Sequence, residues 1–295
     1  MAKLFIAGGT GLIGSELVRQ AAGAGHDVTL LCRQVPVEGQ RFVVADLGDP
    51  QSLPGRLPQE RFDAVLYLAQ AAEHNAFPDN AGPAVALNIA SPVALCQWAV
   101  RTGCRQFIYA SSGGICGPGG GPQQRIGEEW PRQGAANLSF YLSTKARCEE
   151  LLLSFAPQLQ LDFLRYFFVY GPGQRSAFLF PRLAQKVRAG QPIELAGGTG
   201  PLLNPIHATD AAALTLAALG THGDAVTNVA GAEDTTLLDV IRGMEQAIGR
   251  AAVINATAGP APVYLADTAR MKRRLGWPRV PLAQGLPSAL QALRL

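Results

Sequence analysis

Leu4-Phe5-Ile6-Ala7-Gly8-Gly9-Thr10-Gly11-Leu12-Ile13-Gly14 is the stretch whose reading settles the fold class. Four consecutive apolar residues ending in glycine read as a strand buried on both faces, as in a parallel sheet. Gly8, Gly11 and Gly14 then give GxxGxxG spacing, and helical character follows over residues 12–24. Small residues at these places allow a tight turn, close backbone approach to a pyrophosphate, and close packing of helix on strand. The helix start adds free N–H groups and positive dipole for an anion. A plain Gly-rich turn is the alternative, since glycine supplies 33 of 295 residues. The strand before it and the helix after it favour a dinucleotide site, with Gly8, Thr10, Gly11, Leu12, Ile13 and Gly14 on the cofactor.

Outward from this stretch, short apolar runs at 28–32, 42–45, 64–68, 107–111 and 163–167 alternate with helical stretches near 80–102 and 138–156. Such alternation predicts an α/β fold, a Rossmann-type doubly wound parallel sheet with a smaller substrate-binding lobe. Ligands of such sheets sit at the carboxyl ends of the strands. Pro92 should kink or divide the 80–102 helix. After Pro172, helix-like pieces (176–189, 208–219, 235–249, 284–294) are separated by Gly/Pro-rich connectors. The expected division is an NAD(P)-binding domain over 1–171, completed by about 205–230, and a substrate lobe from 172–204 and 231–295.

Composition narrows the function classes. Apolar types at 48% and charged types at 16% support a large core and exclude disorder. Four Lys stand against twenty-one Arg, but the Arg are scattered and net charge is +3, which argues against a nucleic-acid partner. No apolar run reaches the roughly 18 residues of a membrane span, so no membrane partner is expected. The five Cys form no CxxC pair and are odd in number, which fits a reduced, cytoplasmic setting. His26, His74, His207 and His222 lack metal-ligand spacing, and no metal is expected. Arg270-Met271-Lys272-Arg273-Arg274 reads as a solvated helix face in preference to a phosphate or membrane site, and Glu128-Glu129, followed by Trp130-Pro131, as part of a lid-like loop in preference to a paired-carboxylate site.

The second strand bears on cofactor choice. NAD sites usually place an acid about 20 residues beyond the glycines, on the ribose hydroxyls. Here that strand ends in Cys32-Arg33, and a guanidinium suits a 2′-phosphate. NADP(H) is therefore favoured over NAD(H), with a solvated Arg33 as the alternative. Asp46-Leu47 follows the third strand within range of an adenine, although an Asp in a turn is equally expected.

The sharpest chemical signal is Tyr141-Leu142-Ser143-Thr144-Lys145. With six Tyr and four Lys in the chain, a Tyr-x-x-x-Lys by chance has an expectation of about 0.08. In a helix these two residues share a face. An ammonium beside a phenol lowers the phenol's pKa and makes it usable as an acid/base. Tyr109-Ala110-Ser111-Ser112-Gly113-Gly114 ends the fifth strand on the ligand edge, where a Ser hydroxyl can hold a substrate oxygen beside Tyr141.

With these residues in view, the chain resembles the extended short-chain dehydrogenase/reductase family, in its nucleotide-sugar epimerase/dehydratase branch, nearly end to end. The resemblance also rests on Leu164-Arg165-Tyr166-Phe167-Phe168-Val169-Tyr170-Gly171-Pro172, on Asn204-Pro205-Ile206-His207-Ala208-Thr209-Asp210 and on Leu275-Gly276-Trp277-Pro278. Aligning Ile115-Cys116-Gly117 with the family's Val-Tyr-Gly makes Ser112 the catalytic hydroxyl. The resemblance implies Tyr141 as acid/base and Lys145 as its pKa-lowering partner and ribose ligand. It also places Tyr166 near the nicotinamide and Leu68, Ala69 and Val169 along the cofactor. Ser112, Gly113, Phe168 and Asn204 would meet the substrate, and Asn88 would buttress the site. Phe168 stands where the family usually has a diphosphate-binding Asn, Leu203-Asn204-Pro205 replaces Arg-Asp-Phe/Tyr, and Ser112-Gly113-Gly114 lacks the Thr-Asp-Glu of 4,6-dehydratases.

The reading is an NAD(P)-dependent epimerase/reductase transferring hydride at a secondary alcohol or ketone carbon, with a nucleotide sugar as one substrate class. The alternatives are an NADPH-dependent ketoreductase of another substrate, and a non-catalytic NADP(H)-binding sensor or structural subunit. The apolar helices near 80–102 and 138–156 correspond to those that family members pair in a homodimer.

Overall fold

In the computed structural model, which describes residues 1–34, 41–71, 76–121, 123–221 and 225–291, the apolar runs form one seven-stranded sheet. Its strands are β1 (Lys3–Ala7), β2 (Asp27–Cys32), β3 (Arg41–Val44), β4 (Ala64–Tyr67), β5 (Gln106–Ser112), β6 (Gln160–Tyr166) and a later strand, Val226–Val229. The short strands between β6 and that last one are β7 (Val169–Tyr170), β8 (Pro192–Ala196), β9 (Leu202–Leu203) and β10 (Ile206–His207), so Val226–Val229 is β11. The order across the sheet is β11-β6-β5-β4-β1-β2-β3, with β1 in parallel register against both β2 and β4. Phe163 and Phe167 donate in step to Ala225 and Val229, so β11 also runs parallel to β6.

Helices α1 (Leu12–Gly23), α2 (Ala81–Val85), α3 (Ser91–Arg101) and α4 (Phe140–Leu152) complete the βα pattern. Pro92 takes an early position of α3, and a π-helical turn, Ala86–Ala90, separates α3 from α2. The helical span Ala81–Arg101 is 21 residues long with mean hydropathy 1.4, enough by length and composition to cross a bilayer. This corrects the expectation that no segment qualifies. Its apolar side serves a different end here, since Leu95, Cys96, Trp98 and Ala99 pack into the core with Phe5, Phe62 and Phe107. His74 and His222 lie outside the described residues.

Two compact units divide the chain. One comprises Met1–Ile115, Arg132–Arg165 and Thr215–Thr227, the other Cys116–Pro131, Tyr166–Leu214 and Asn228–Leu295. The boundary read at 171 in the sequence falls at 165, and residues 116–131 go with the second unit.

In the second unit, α5 (Leu179–Ala189), α6 (Ala208–Ala217, as far as Leu214), β12 (Thr235–Thr236), α7 (Leu237–Ile248), β13 (Val253–Thr257), β14 (Val263–Tyr264), α8 (Ala269–Arg274) and α9 (Leu282–Gln291) follow in order. Phe180, Val187, Ile193, Val240, Met244 and Leu286 make its core. Glu128 accepts from the backbone N–H of Asn228 at 3.1 Å and pairs with Arg270 at 3.6 Å. The segment read as a lid is anchored by this residue, and Arg270 of the basic run is neutralised.

Candidate active site

The first unit gathers the cofactor turn and the acid/base residues at one sheet edge. Gly8 holds φ +89, and a Cβ there would meet the Ala69 nitrogen at 2.5 Å. A Cβ at Gly14 would stand 2.1 Å from the Gly8 carbonyl oxygen, while the Gly11 N–H closes the turn onto that same oxygen at 3.0 Å. These contacts require glycine and bring Leu68 and Ala69 against the turn. Helix α1 begins here with no acid in its first turn, so the positive end of its dipole is not offset by a carboxylate of its own. The residues therefore fit a dinucleotide phosphate.

Arg33 is exposed at the end of β2. Asp46 is also exposed, and its Oδ1 accepts from Gly48 N–H at 2.8 Å, so the carboxylate closes a turn. Leu47 is a core residue whose carbonyl accepts from Ser91.

Helix α4 delivers the Tyr–Lys pair. Ser139 caps it by accepting from Leu142 N–H, which fixes where the first turn begins. Tyr141 is half-buried and donates its phenol hydrogen to Gln70 Oε1 at 3.0 Å. Lys145 is 2% exposed. Its ammonium donates to the Ala110 carbonyl at 2.8 Å and lies 4.7 Å from the centre of the Tyr109 ring.

Burial pulls Lys145 down to about 8, against the smaller opposing pull of Cys148 and Glu149. Burial likewise pushes the Tyr141 phenol well above its ordinary value. The sequence predicted the opposite for the phenol. The physical reason is that the ammonium is directed at Ala110 and Tyr109, and desolvation governs the phenol.

Ser112, partly exposed, accepts from Gly114 N–H at 3.2 Å, whereas Ser111 is buried. A Cβ at Gly114 would lie 2.9 Å from Leu142, so the Ser112–Gly114 turn packs on the residue beside Tyr141. Gly113 is buried within that turn. Asn88, fully buried on the π-helical turn, donates to Thr144 Oγ1 at 3.0 Å, and its carbonyl accepts from Tyr109. Among the described residues, Asn88 Oδ1 and Ser111 Oγ are buried with no hydrogen-bond partner.

Tyr166, Phe168, Val169 and Asn204 belong to the second unit. Tyr166 is buried at the end of β6 and Val169 opens β7. Phe168 is the one non-glycine residue at positive φ (+45) among the described residues, and its ring meets Tyr264 edge-on at 5.8 Å. Asn204 is 1% exposed and spends both ends of its amide on the Ala266 backbone, at 3.2 Å each.

Sequence reading passed over Gln70 and Thr144. Gln70 had a signal of its own, being the first polar side chain beyond the carboxyl end of β4.

The family described as "NAD dependent epimerase/dehydratase family" matches residues 4–230. The chain belongs to that family. As a member it is an NAD(P)-dependent epimerase/oxidoreductase of the extended short-chain dehydrogenase/reductase type. A UDP-glucose 4-epimerase of Neisseria meningitidis serogroup B is 27% identical, over 94% of this chain and 92% of that protein. The UDP-glucose 4-epimerase of Thermus thermophilus, solved with NAD, superposes with a TM-score of 0.82 at 22% identity, covering 99% of both chains. MoeE5 in complex with UDP-glucose and NAD superposes with a TM-score of 0.80 at 25% identity, covering 99% of this chain and 98% of its own.

Proposed function

We propose that this family member interconverts a secondary alcohol and a ketone on the sugar of a nucleotide sugar, with Ser112, Tyr141 and Lys145 as its catalytic residues. The observation that carries the proposal is the convergence of the Gly8 turn, the Ser112 turn and the Tyr141–Lys145 helix face at one sheet edge. The GxxGxxG turn, Leu68 and Ala69 would hold the cofactor, which supplies a nicotinamide that accepts and returns hydride. Ser112 orients the substrate oxygen. Tyr141 takes the proton of the alcohol as base and returns it to the ketone oxygen as acid. Lys145, next to these groups, would bind ribose hydroxyls. By the family resemblance, Tyr166 and Val169 are proposed as cofactor residues and Gly113, Phe168 and Asn204 as substrate residues, Asn204 through the backbone it braces. Cys32-Arg33 at the end of β2 supports NADP(H) over NAD(H), although the solved relatives above carry NAD.

The test supplies UDP-glucose with catalytic NAD+ or NADP+ and measures the C4 epimer formed. Product without net change in nicotinamide absorbance supports epimerisation, and stoichiometric absorbance change indicates a net oxidoreductase. Tyr141→Phe should cut turnover by about 10²–10⁴ while leaving cofactor affinity in place. Unchanged biological output in that variant would favour the sensor reading. Titration with NADPH and NADH, repeated on Arg33→Ala, decides the cofactor.

A homodimer is part of the same proposal, supported by the exposed apolar side chains of Val85 and Leu151 on α2 and α4. Light scattering at micromolar concentration reads it directly. A reduced, cytoplasmic setting is supported by the five cysteines, all free thiols.

A further inference from the structure

We propose that Gln70 is a positioning residue for the proton transfer of Tyr141, a carboxamide that stays bonded to the phenol oxygen in both of its proton states. The inference rests on the acid/base reading of Tyr141 and deepens it.

The geometry starts from how firmly Gln70 is held. It follows β4 by three residues, between Ala69 at 9% exposure and Ala71 at 2%. Leu68 N–H donates to Ala7 at 2.8 Å, and the Ala69 backbone presses on Gly8. The main chain is therefore held just before Gln70, and Ala71 is buried just after it. The Gln70 side chain meets the phenol of a residue 71 positions later, at 3.0 Å.

In this arrangement the phenol donates and the amide oxygen accepts, a bond that exists only while Tyr141 is protonated. A phenolate needs a donor in its place. The terminal amide torsion of glutamine is broad and roughly two-fold, so a half-turn presents Nε2–H to the same oxygen. Leucine, methionine or alanine at position 70 would offer neither bond, and an ionised glutamate only the acceptor. Gln70 thus serves Tyr141 before it gives its proton to a ketone and before it takes one from an alcohol. The proton passes between phenol oxygen and substrate oxygen, and Gln70 exchanges none. Among the described residues, the titratable groups that interact on this side of α4 are Lys145, Cys148 and Glu149 from the helix, Tyr109 from β5 and Tyr67 from β4.

The experiment compares the full-length wild type with Gln70→Met and Gln70→Glu, each labelled at tyrosine Cζ, with the Tyr141 resonance assigned by its loss in Tyr141→Phe. In Q70M at neutral pH the Tyr141 resonance should move while the other five tyrosines stay. In the oxidation of UDP-glucose, the acidic limb of the kcat/KM profile should rise by about one pH unit in Q70M, because the bond lost to the charged phenolate is stronger than the bond lost to the phenol, and it should rise further in Q70E, whose carboxylate also repels the phenolate. A Tyr141 resonance that does not move in Q70M overturns the bond. A resonance that moves while both limbs stay put shows a mere tie between helix and sheet, and overturns the role. If UDP-glucose does not react, the proposed function fails on its own. The limb is then replaced by the pH midpoint of the Tyr141 resonance in protein loaded with NAD+, where equal midpoints, or no titration in any of the three proteins, also overturn the role.

Discussion

The ammonium of Lys145 and the carbonyl of Ala110 meet at 2.8 Å beneath the end of β5, in a pocket that leaves Lys145 only 2% exposed. That burial makes a prediction with a definite sign. The folded amine titrates at about 8 and the unfolded one near its ordinary 10.5. Below the lower value both states carry the charge, and the folded protein bears the full cost of burying it. Between the two values the unfolded chain binds the extra proton, so stability rises with pH by about 1.4 kcal/mol per unit, to a total of about 3 kcal/mol. Lys145→Met lacks this dependence. Urea unfolding from pH about 7 to about 10 should show wild type gaining on the variant over that window; parallel curves would exclude a depressed amine.

Asn88 fixes the far side of the same helix. Its amide donates to Thr144, between Tyr141 and Lys145, and Thr144 donates in turn to the Tyr141 carbonyl at 2.7 Å. Asn88→Leu keeps the volume and removes the bond, leaving Thr144 less well satisfied. A loss of about 1–3 kcal/mol in urea unfolding is expected, with turnover falling more than cofactor affinity. An unaltered kcat would show that the Asn88 bond does not place the Tyr–Lys face.

What the sequence disclosed follows the range of the interactions involved. β1, β2 and β4–β6 were readable because strands covered on both faces become continuous apolar runs. Tyr141 and Lys145 were readable because one helical turn joins them. β11 was not, since Thr227 and Asn228 are fully buried and polar. The Asn228 amide N–H donates to the Ile126 carbonyl, about a hundred residues away, so nothing local marks a strand. Gln70 escaped notice for the same reason, its partner lying on another element. Asn204 was assigned to the substrate by resemblance, while the fold turns its amide onto Ala266. The left-handed backbone of Phe168 has no local signature either, because a bulky residue there is held by surrounding structure against its own preference.

Glu149 and Arg165 form a buried ion pair between α4 and β6. Arg165 Nε and Nη2 reach the two carboxylate oxygens at 3.0 and 2.8 Å, and Arg132 adds a third bond at 3.0 Å. Glu149→Gln would leave two guanidiniums sharing a neutral amide, one of them 3% exposed. Removing one member of such a pair costs about 3–5 kcal/mol. Chemical denaturation should show a loss of that order, and a change under about 1 kcal/mol would show that water or rearrangement compensates. Replacing Glu149 and Arg165 together by apolar residues should be milder than the single change.

Two glycines of α1 give opposite expectations for the same substitution. At Gly14 an added Cβ would lie 2.1 Å from the Gly8 carbonyl oxygen, a backbone atom that cannot swing aside. Gly14→Ala must therefore displace the turn that the phosphate would use, lowering cofactor affinity by about tenfold or more together with stability. At Gly23, the last residue of the helix, nothing lies within 4 Å of the built Cβ. Gly23→Ala should leave cofactor affinity alone and gain about 0.4–1 kcal/mol by restricting the unfolded chain. NADPH and NADH titrations paired with urea unfolding of both variants check this. Equal affinity in G14A and G23A would mean that the cofactor does not lie on the Gly8–Gly14 turn.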